Sequence, residues 1–200
     1  MGNKTGIFKQ ACDFLCHPSS RVPVLAIAAA SLLTGVIIWG GFNTFMESTN
    51  DLEFCISCHE MRDNVYVEYK KTLHYSNRVG VRAICSDCHV PKSWGYKLLR
   101  KIEASRELIA KVTGAVDTPE KFEEHRMEMA TREWARMKAS DSRECRNCHT
   151  FDAMRKQVDK LPVYNKHMQA KQEGKTCIDC HKGISHLLPR EYENYGEDNK

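Results

Sequence analysis

The sequence is poor in aromatic residues and has no strong excess of charge of either sign. Aromatic side chains make up 8% of the 200 residues, and the formal net charge is +4. No basic run is interleaved with aromatic residues, so nothing in the sequence favours nucleic-acid binding. The composition also excludes collagen, coiled coil and general disorder. Because much of the apolar content lies in one N-terminal stretch, little remains for a conventional hydrophobic core.

That stretch runs from Val22 to Phe42, contains no charged residue and has no counterpart elsewhere in the chain. Its 21 residues would span about 31 Å as a helix, which is enough to cross the hydrocarbon core of a membrane. A cleaved signal peptide is the alternative, since Ala28, Ala29 and Ala30 resemble a cleavage site. That site falls in the middle of the apolar stretch, so we expect an uncleaved transmembrane anchor over residues 22–42.

The charges on either side of the anchor predict its orientation. Basic residues precede the anchor and acidic residues follow it, namely Lys4, Lys9 and Arg21 before it and Glu47, Asp51 and Glu53 after it. Because positive residues favour the cytoplasmic side, we expect residues 1–21 in the cytoplasm and the rest of the chain outside.

Cysteine and histidine are present in excess, with ten and nine copies. Eight of the cysteines form four copies of Cys-x-x-Cys-His, which begin at Cys55, Cys85, Cys145 and Cys177. This is the attachment motif of c-type haem, because two thiols at this spacing reach the two vinyl groups of one porphyrin and the adjacent histidine reaches the iron. Zinc sites and disulfides are the alternatives, but neither requires a histidine after every second cysteine.

The motifs therefore predict four covalently attached haem c groups. We expect thioether bonds at Cys55, Cys58, Cys85, Cys88, Cys145, Cys148, Cys177 and Cys180, and iron ligation by His59, His89, His149 and His181. Haem c is attached outside the cytoplasmic membrane of bacteria. The expected location is therefore the bacterial inner membrane, with a single span and the haem domain in the periplasm.

Two cysteines lie outside this pattern. Cys12 and Cys16 precede the anchor, and one residue too many separates them for a haem motif. We interpret them as reduced cytoplasmic thiols, with a redox or palmitoyl role as the alternative.

Each haem iron has a second axial position, and three further histidines are candidates for it. His74 and His167 each lie ten or eleven residues before a motif, and this matched placement predicts that both are distal ligands. His186 lies too close to its own motif to reach the opposite face of the same haem, so we expect it on a neighbouring haem. The remaining position stays open between Met61, His125 and no ligand.

The motif spacings divide the soluble part of the chain into two halves. Gaps of 30, 60 and 32 residues separate successive motif starts. They predict a first di-haem module at 43–114, a second at 115–188 and a polar tail at 189–200. We expect a mainly α-helical fold with long loops, made of one transmembrane helix and a small periplasmic multihaem domain. The haems would supply the apolar bulk that the sequence lacks.

Three helices are predicted between the motifs. Apolar residues at helical spacing predict one helix over Lys92–Gly114, with the glycine as its stop. Thr118–Pro119 is typical of a helix start, and the helix that follows is expected to end near Ser140. A third helix is predicted over Asp152–Leu161, before a proline.

Several stretches resemble the NapC/NirT family of membrane-anchored tetrahaem cytochromes c, and its NapC-type members in particular. They are Pro18–Arg21, WGGFNTFMESTNDLEFCISCHEM, HYSNRVGVRAICSDCHVP, REWARMKASDSRECRNCH and CIDCHKGISHLLP, and together they span nearly the whole chain. The resemblance implies a quinol dehydrogenase that takes electrons from membrane menaquinol or ubiquinol. It also implies a soluble periplasmic reductase as the recipient, which is periplasmic nitrate reductase for the NapC branch.

The resemblance further implies a quinol site at the first haem. Related members place the methionine of Cys-x-x-Cys-His-x-Met on that iron, which maps onto Met61 and makes His59 the competing ligand. They also place a lysine and an acidic residue nearby, and the matching region here contains Lys101 and Glu107. In this interpretation Glu107 accepts quinol protons and Lys101 orients a quinol oxygen.

Other functions stay open at this level. An anchored relay cytochrome, fed by another quinol-oxidising complex, would have no quinol site of its own. A terminal reductase acting at an open haem is less favoured, because nothing in the chain indicates a dedicated substrate pocket. Within the family, a nitrite, N-oxide or S-oxide reductase is the alternative recipient. The sequence does not distinguish a monomer from a homo-oligomer.

Overall fold

The computed structural model describes residues 4–16, 22–154 and 161–193. The chain divides into two compact units, Met1–Thr49 and Asn50–Lys200. The described residues form helices and loops without a β-strand. The predicted mainly α-helical fold with long loops is therefore confirmed.

Two helices make up the described part of the first unit, α1 (Lys4–Cys16) and α2 (Val24–Ser48). Within the part of the chain that the structure describes, α2 is the one helix long and apolar enough to cross a membrane. It continues past Phe42, the end of the predicted anchor. The side chains of Asn43 and Thr44 donate to backbone carbonyls one turn earlier, at 2.8 and 2.9 Å, so these polar residues do not interrupt the helix.

The second unit consists of short helices and one longer helix joined by loops. In chain order they are α3 (Leu52–Cys55), a π-helical turn (Met61–Val65), α4 (Tyr66–Tyr69), α5 (Cys85–His89), α6 (Trp94–Glu103), α7 (Ser105–Val112), α8 (Pro119–Ala139), α9 (Arg143–Arg146), a 3-10 turn (Phe151–Ala153), α10 (Leu161–Gln172) and α11 (Cys177–Cys180). The first cysteine of every motif lies in one of the short helices α3, α5, α9 and α11.

The second and fourth motifs begin their helices in the same way. In each, the aspartate between the two cysteines accepts the N–H of the residue before the motif. Asp87 accepts from Ile84 at 2.9 Å, and Asp179 accepts from Thr176 at 2.8 Å. An acidic residue at this position satisfies an N–H that the first turn of a helix leaves without a partner.

The single helix predicted over Lys92–Gly114 is wrong, because two helices, α6 and α7, meet at Ala104. The Ala104 N–H bonds to the Arg100 carbonyl at 2.9 Å, as in an α-helix, but the Glu107 N–H bonds to Ala104 only three residues back. This tighter turn ends one helix and starts the next. The predicted stop at Gly114 is confirmed, since its φ of +68° is the left-handed conformation that favours glycine.

α8 begins where it is predicted. The Thr118 hydroxyl oxygen accepts the N–H of Lys121 at 3.3 Å, and Pro119 is the first helical residue. Proline is tolerated there, because the N–H that it lacks has no partner within a helix. The helix ends at Ala139, next to the expected end at Ser140.

The helix predicted over Asp152–Leu161 does not appear in the described part of that region. A 3-10 turn covers Phe151–Ala153, residues 155–160 lie outside the described residues, and α10 begins at Leu161. Pro162 therefore lies within the described part of α10 and does not stop a helix.

Few apolar side chains of the second unit are buried. Among its described residues, the buried ones are Tyr69, Phe122 and Ile178 and the two prolines Pro91 and Pro189. Four polar or charged side chains are equally covered, namely Glu60, Arg126, Ser142 and Glu144. The chain alone builds a thin core, as its composition leads us to expect.

Candidate functional site

The four motifs follow one another in space in the order of the chain. The Cys55 thiol of the first motif is hydrogen-bonded to the Cys85 thiol of the second, and this contact raises the pKa of Cys55. Burial, together with the nearby thiol of Cys145 in the third motif, raises the pKa of Cys88 to about 11. Burial also raises the pKa of Cys145, and Cys177 of the fourth motif adds to that effect.

Six histidines form three pairs of neighbouring rings. The distances between ring centroids are 6.2 Å for His74 and His149, 6.2 Å for His89 and His186, and 5.9 Å for His167 and His181. A metal–imidazole bond is about 2 Å long, and the ring centre lies about 1 Å behind the ligating nitrogen. Two imidazoles on opposite sides of one metal therefore have centres about 6 Å apart, as in all three pairs.

Each pair combines the histidine of a motif with one of the three candidate distal ligands. His167 is paired with the histidine of the motif that follows it, but His74 is paired with the third motif. His186 lies beside the second motif and not beside its own. Two of the three pairs therefore join residues of 43–114 to residues of 115–188, so the predicted modules are interleaved in space.

These donors fit a haem iron better than a bare metal ion. No group of three or more His, Cys, Asp or Glu side chains that could hold a metal ion occurs among the described residues. A structural zinc site needs four such donors around one point. Two opposed imidazoles and a separate pair of thiols from the same motif are the protein donors of a six-coordinate haem c.

Two of the paired histidines have a defined tautomer. Nδ1 of His167 is 2.8 Å from the carbonyl oxygen of Val163, and Nδ1 of His89 is 2.9 Å from Oε1 of Glu133. Because both oxygens only accept, each Nδ1 donates its proton and Nε2 is available to a metal. Burial opposes the charge on Glu133, but hydrogen bonds from His89 and Arg136 hold the pKa of this carboxyl well below its usual range.

The first motif has different surroundings. Nε2 of His59 is 3.3 Å from Oε1 of Glu60, and Nζ of Lys111 is 2.5 Å from the same oxygen. Burial alone would raise the pKa of the Glu60 carboxyl, but the hydrogen bond from Lys111 and other contacts hold that pKa below its ordinary value. Glu60 thus contacts Nε2 of His59, whereas in His89 the same ring nitrogen is available to a metal. Met61 follows at the start of the π-helical turn and is 42% exposed.

The other residues proposed from the sequence lie on α6, α7 and α8. Lys101 lies close enough to the first motif for its charge to oppose the rise in the pKa of Cys55. Glu107 forms an ion pair with Arg100, with 2.7 Å between Oε1 and Nη2, and its side chain is 59% exposed. Nδ1 of His125 is 2.9 Å from the carbonyl oxygen one turn earlier in its own helix.

Sequence reasoning missed the contacts that hold the loop of His186. The Glu68 carboxylate accepts two hydrogen bonds from Arg126, at 2.7 and 3.1 Å, and the backbone N–H of Leu187 at 2.8 Å. Arg126 also donates to the Leu187 carbonyl at 3.3 Å. Since Leu187 directly follows His186, this network fixes the backbone beside a candidate ligand. Its members are up to 119 positions apart, so no local pattern indicates it.

A second missed contact joins the third and fourth motifs. Ser142 is fully buried, and its Oγ accepts the N–H of Ile178 at 3.1 Å. Ser142 and Asp141 have φ angles of 48° and 52°, which are uncommon for residues other than glycine. Arg146 holds this turn, with 2.8 Å between its Nη2 and Oδ1 of Asp141. The strained backbone of Asp141 and Ser142 thus lies where α9, the helix of the third motif, meets α11, the helix of the fourth.

The two N-terminal cysteines lie on α1. Cys12 and Cys16 are exposed, and the hydrogen bond between their thiols raises the pKa of Cys16. The raised pKa favours the protonated thiol. His17, which follows them, lies outside the described residues.

Comparison with known proteins gives a consistent result. The family described as "NapC/NirT cytochrome c family, N-terminal region" matches residues 17–191. The chain is 53% identical over 184 residues to "Denitrification system component NirT" of Stutzerimonas stutzeri, which covers 92% of both chains. It is 50% identical over 192 residues to "Cytochrome c-type protein NapC" of Escherichia coli (strain K12), which covers 94% of this chain and 96% of NapC.

A third relative is longer. "Cytochrome c-type protein TorC" of Escherichia coli (strain K12) is 43% identical over 176 residues, which is 88% of this chain and 45% of TorC. No solved structure matches the chain. Since the family match and the first two relatives extend over most of the sequence, the chain belongs to the NapC/NirT family of c-type cytochromes, whose prosthetic group is covalently bound haem.

Proposed function

We propose that this cytochrome oxidises membrane menaquinol or ubiquinol and passes the electrons to periplasmic nitrate reductase. The observation that best supports the proposal is the row of motifs, the spatial succession of the four Cys-x-x-Cys-His motifs in the order of the chain. The first motif begins seven residues after α2, a helix of membrane-spanning length, and the other three continue the row with paired histidines. Haem supplies one-electron redox chemistry, while the protein supplies its position and ligands.

We assign one haem c to each motif. The ligand pairs are His89 with His186 at Cys85 and Cys88, His149 with His74 at Cys145 and Cys148, and His181 with His167 at Cys177 and Cys180. The centroid distances of about 6 Å support these three assignments. At Cys55 and Cys58 we assign Met61, with His59 as the competing donor, because Glu60 engages Nε2 of His59.

Helices α6 and α7 provide a surface for an apolar substrate near the first motif. Most apolar side chains on them are exposed, among them those of Leu99, Ile102, Ile109 and Val112 at 57%, 61%, 62% and 87%. Exposed apolar surface of this kind is typical of contacts with lipid or an apolar ligand. The same helices contribute Lys101 and Lys111 to the surroundings of the first motif. This arrangement supports access of a quinol from the bilayer to the first motif.

Quinol oxidation releases protons as well as electrons, so the site needs groups that orient the hydroxyl and accept its proton. We propose that Lys101 orients a quinol oxygen and that Glu107 is the proton acceptor. The Glu107 carboxylate is open to water, so a proton taken up there can leave for the solvent. The Lys111–Glu60 ion pair holds the start of the π-helical turn that carries Met61.

The fourth motif is the proposed exit for electrons. Cys180 and His181 are both exposed, so a soluble reductase can approach this end of the row. The charge bias around α2 supports an inner-membrane anchor with the haem domain in the periplasm. The name of the relative NirT, a denitrification system component, supports a nitrogen-oxide reductase as recipient. A nitrite or N- or S-oxide reductase is the alternative.

Anaerobic stopped-flow mixing of the detergent-purified holoprotein with a menaquinol or ubiquinol analogue tests this function. We expect fast haem reduction that a quinone-site inhibitor blocks, and reoxidation by periplasmic nitrate reductase with nitrate. Glu107→Gln should slow reduction by quinol by about a hundredfold, the range of a general base, and leave reduction by dithionite unchanged. Glu128→Gln is the matched control, since Glu128 is a surface residue of α8 that is 68% exposed.

Two outcomes would contradict parts of this proposal. If neither quinol reduces a protein that dithionite reduces fully, the cytochrome is a relay fed by another quinol-oxidising complex. If quinol reduces Glu107→Gln as fast as wild type, quinol oxidation stands and Glu107 is not the proton acceptor.

A further inference from the structure

Glu133 lies on α8, outside every motif, and contacts the histidine of the second motif. Its Oε1 is 2.9 Å from Nδ1 of His89, and the side chains of Glu133 and His89 are 22% and 34% exposed. Because the carboxylate is an anion that only accepts, Nδ1 donates and Nε2 remains for the iron. A carboxylate in this position makes a metal-bound imidazole a stronger electron donor.

The fourth motif provides a comparison within the same chain. There Nδ1 of His167 donates to the carbonyl oxygen of Val163 at 2.8 Å, so its acceptor is a neutral dipole. At the second motif the acceptor carries a full negative charge. A negative charge close to an iron ligand stabilises the ferric state, because ferric iron carries one more positive charge than ferrous iron.

We propose that Glu133 is a positioning residue that lowers the reduction potential of the second haem, held between His89 and His186. The inference rests on the ligand assignment made under the proposed function. Glu133 thereby sets the free-energy change for electron transfer from the first haem to the second, and from the second haem to those that follow.

Arg136 modulates the effect of Glu133. Its Nε donates to Oε2 of Glu133 at 3.0 Å, and its Nη2 contacts Oε1. The guanidinium fixes the plane of the carboxylate and draws part of its negative charge away from His89. Removal of Glu133 and removal of Arg136 should therefore shift the potential in opposite directions. If the ion pair had a purely structural role, the two substitutions would not shift the potential in opposite directions.

An EPR-monitored redox titration of the full-length holoprotein tests the proposal. Glu133→Gln keeps an oxygen acceptor but removes the charge, so one midpoint potential should rise. The expected change is about tenfold in the redox equilibrium constant, or about 59 mV for a one-electron couple. Arg136→Gln should lower the same midpoint. Glu128→Gln, on the same helix and 68% exposed, should shift none. Haem content per chain must equal that of wild type in every variant.

His186→Met separates a failure of this inference from a failure of the ligand assignment. Methionine ligation raises a haem potential, so this variant should change the EPR signal whose midpoint Glu133→Gln shifts. If His186→Met changes no low-spin signal, the assignment itself is wrong. If it changes one, and Glu133→Gln and Arg136→Gln leave that midpoint unmoved or move it the same way, the role of Glu133 is overturned.

Discussion

The loop that carries His186 depends on one buried ion pair, and Glu68→Gln tests that dependence. Glu68 accepts hydrogen bonds from Arg126 and from the backbone of Leu187. The side chains of Arg126 and Glu68 are 9% and 12% exposed. Glutamine keeps the size of the side chain and removes its charge. In the variant, the buried positive charge of Arg126 is therefore less fully compensated.

The size of the effect follows from the partners that remain. Breaking a buried ion pair on one side costs about 3 to 5 kcal/mol. Glu123 also binds Arg126, with 2.6 Å between Oε1 and Nη2, and keeps part of the compensation. We therefore expect a loss of about 3 kcal/mol. The Leu187 N–H also loses a charged acceptor, so much of this loss favours opening of the loop, by about a hundredfold in the open population.

Carbon monoxide binding to the dithionite-reduced protein measures that opening. Under the proposed ligand assignment, an open loop would withdraw His186 and leave the second haem with a free axial position. We expect Glu68→Gln to show a new binding phase with the amplitude of one haem, about a hundredfold faster than in wild type. Glu123→Gln removes the more exposed partner of the same arginine, 30% exposed, and should cost less than about 1 kcal/mol. Identical carbon monoxide kinetics in wild type and Glu68→Gln, or equal acceleration in both variants, would refute the reasoning.

Two further predictions concern the axial rings and the helix of the fourth motif. The angles between paired rings are 75° for His74 with His149, 36° for the second motif and 16° for the fourth. EPR should therefore resolve distinct low-spin signals, and His74→Met should remove the most anisotropic one. Burial would raise the pKa of Asp179, but hydrogen bonds from Lys138 and Thr176 hold that pKa below its ordinary value. The stability that the Asp179 carboxylate contributes to the fold is therefore present at neutral pH and lost as the pH falls through the lowered pKa. Asp179→Asn should lower the free energy of unfolding by about 1 kcal/mol near neutral pH, and guanidinium titrations should show that difference shrink as the pH falls through the lowered pKa of Asp179.

Features that depend on a few adjacent residues were predictable from the sequence. A hydroxyl and a proline in succession begin α8 at Thr118 and Pro119, because both act within one turn. Gly114 ends α7, because the left-handed backbone costs least there. The four motifs and the apolar helix α2 were also predictable, since residue spacing defines the motifs and hydropathy defines the helix.

Features that depend on which distant segments meet were not predictable. His74 and His167 have nearly the same spacing to the next motif, yet only His167 is paired with that motif. Glu133 has no signal in the sequence, because its contact with His89 exists only once α8 passes the second motif. The break at Ala104 interrupts a helical periodicity made of good helix formers, so the residues themselves favour continuation.

The pairing of His89 with His186 constrains how the cytochrome matures. If the chain is exported behind its N-terminal anchor, as we propose, the second motif reaches the periplasm before the segment that carries His186. Under the proposed ligand assignment, a haem attached at Cys85 and Cys88 during that interval would have an open coordination site. Docking of the late segment through Glu68 and Arg126 closes the site. In that assignment the second haem gains its full set of ligands only after the last part of the chain has been exported.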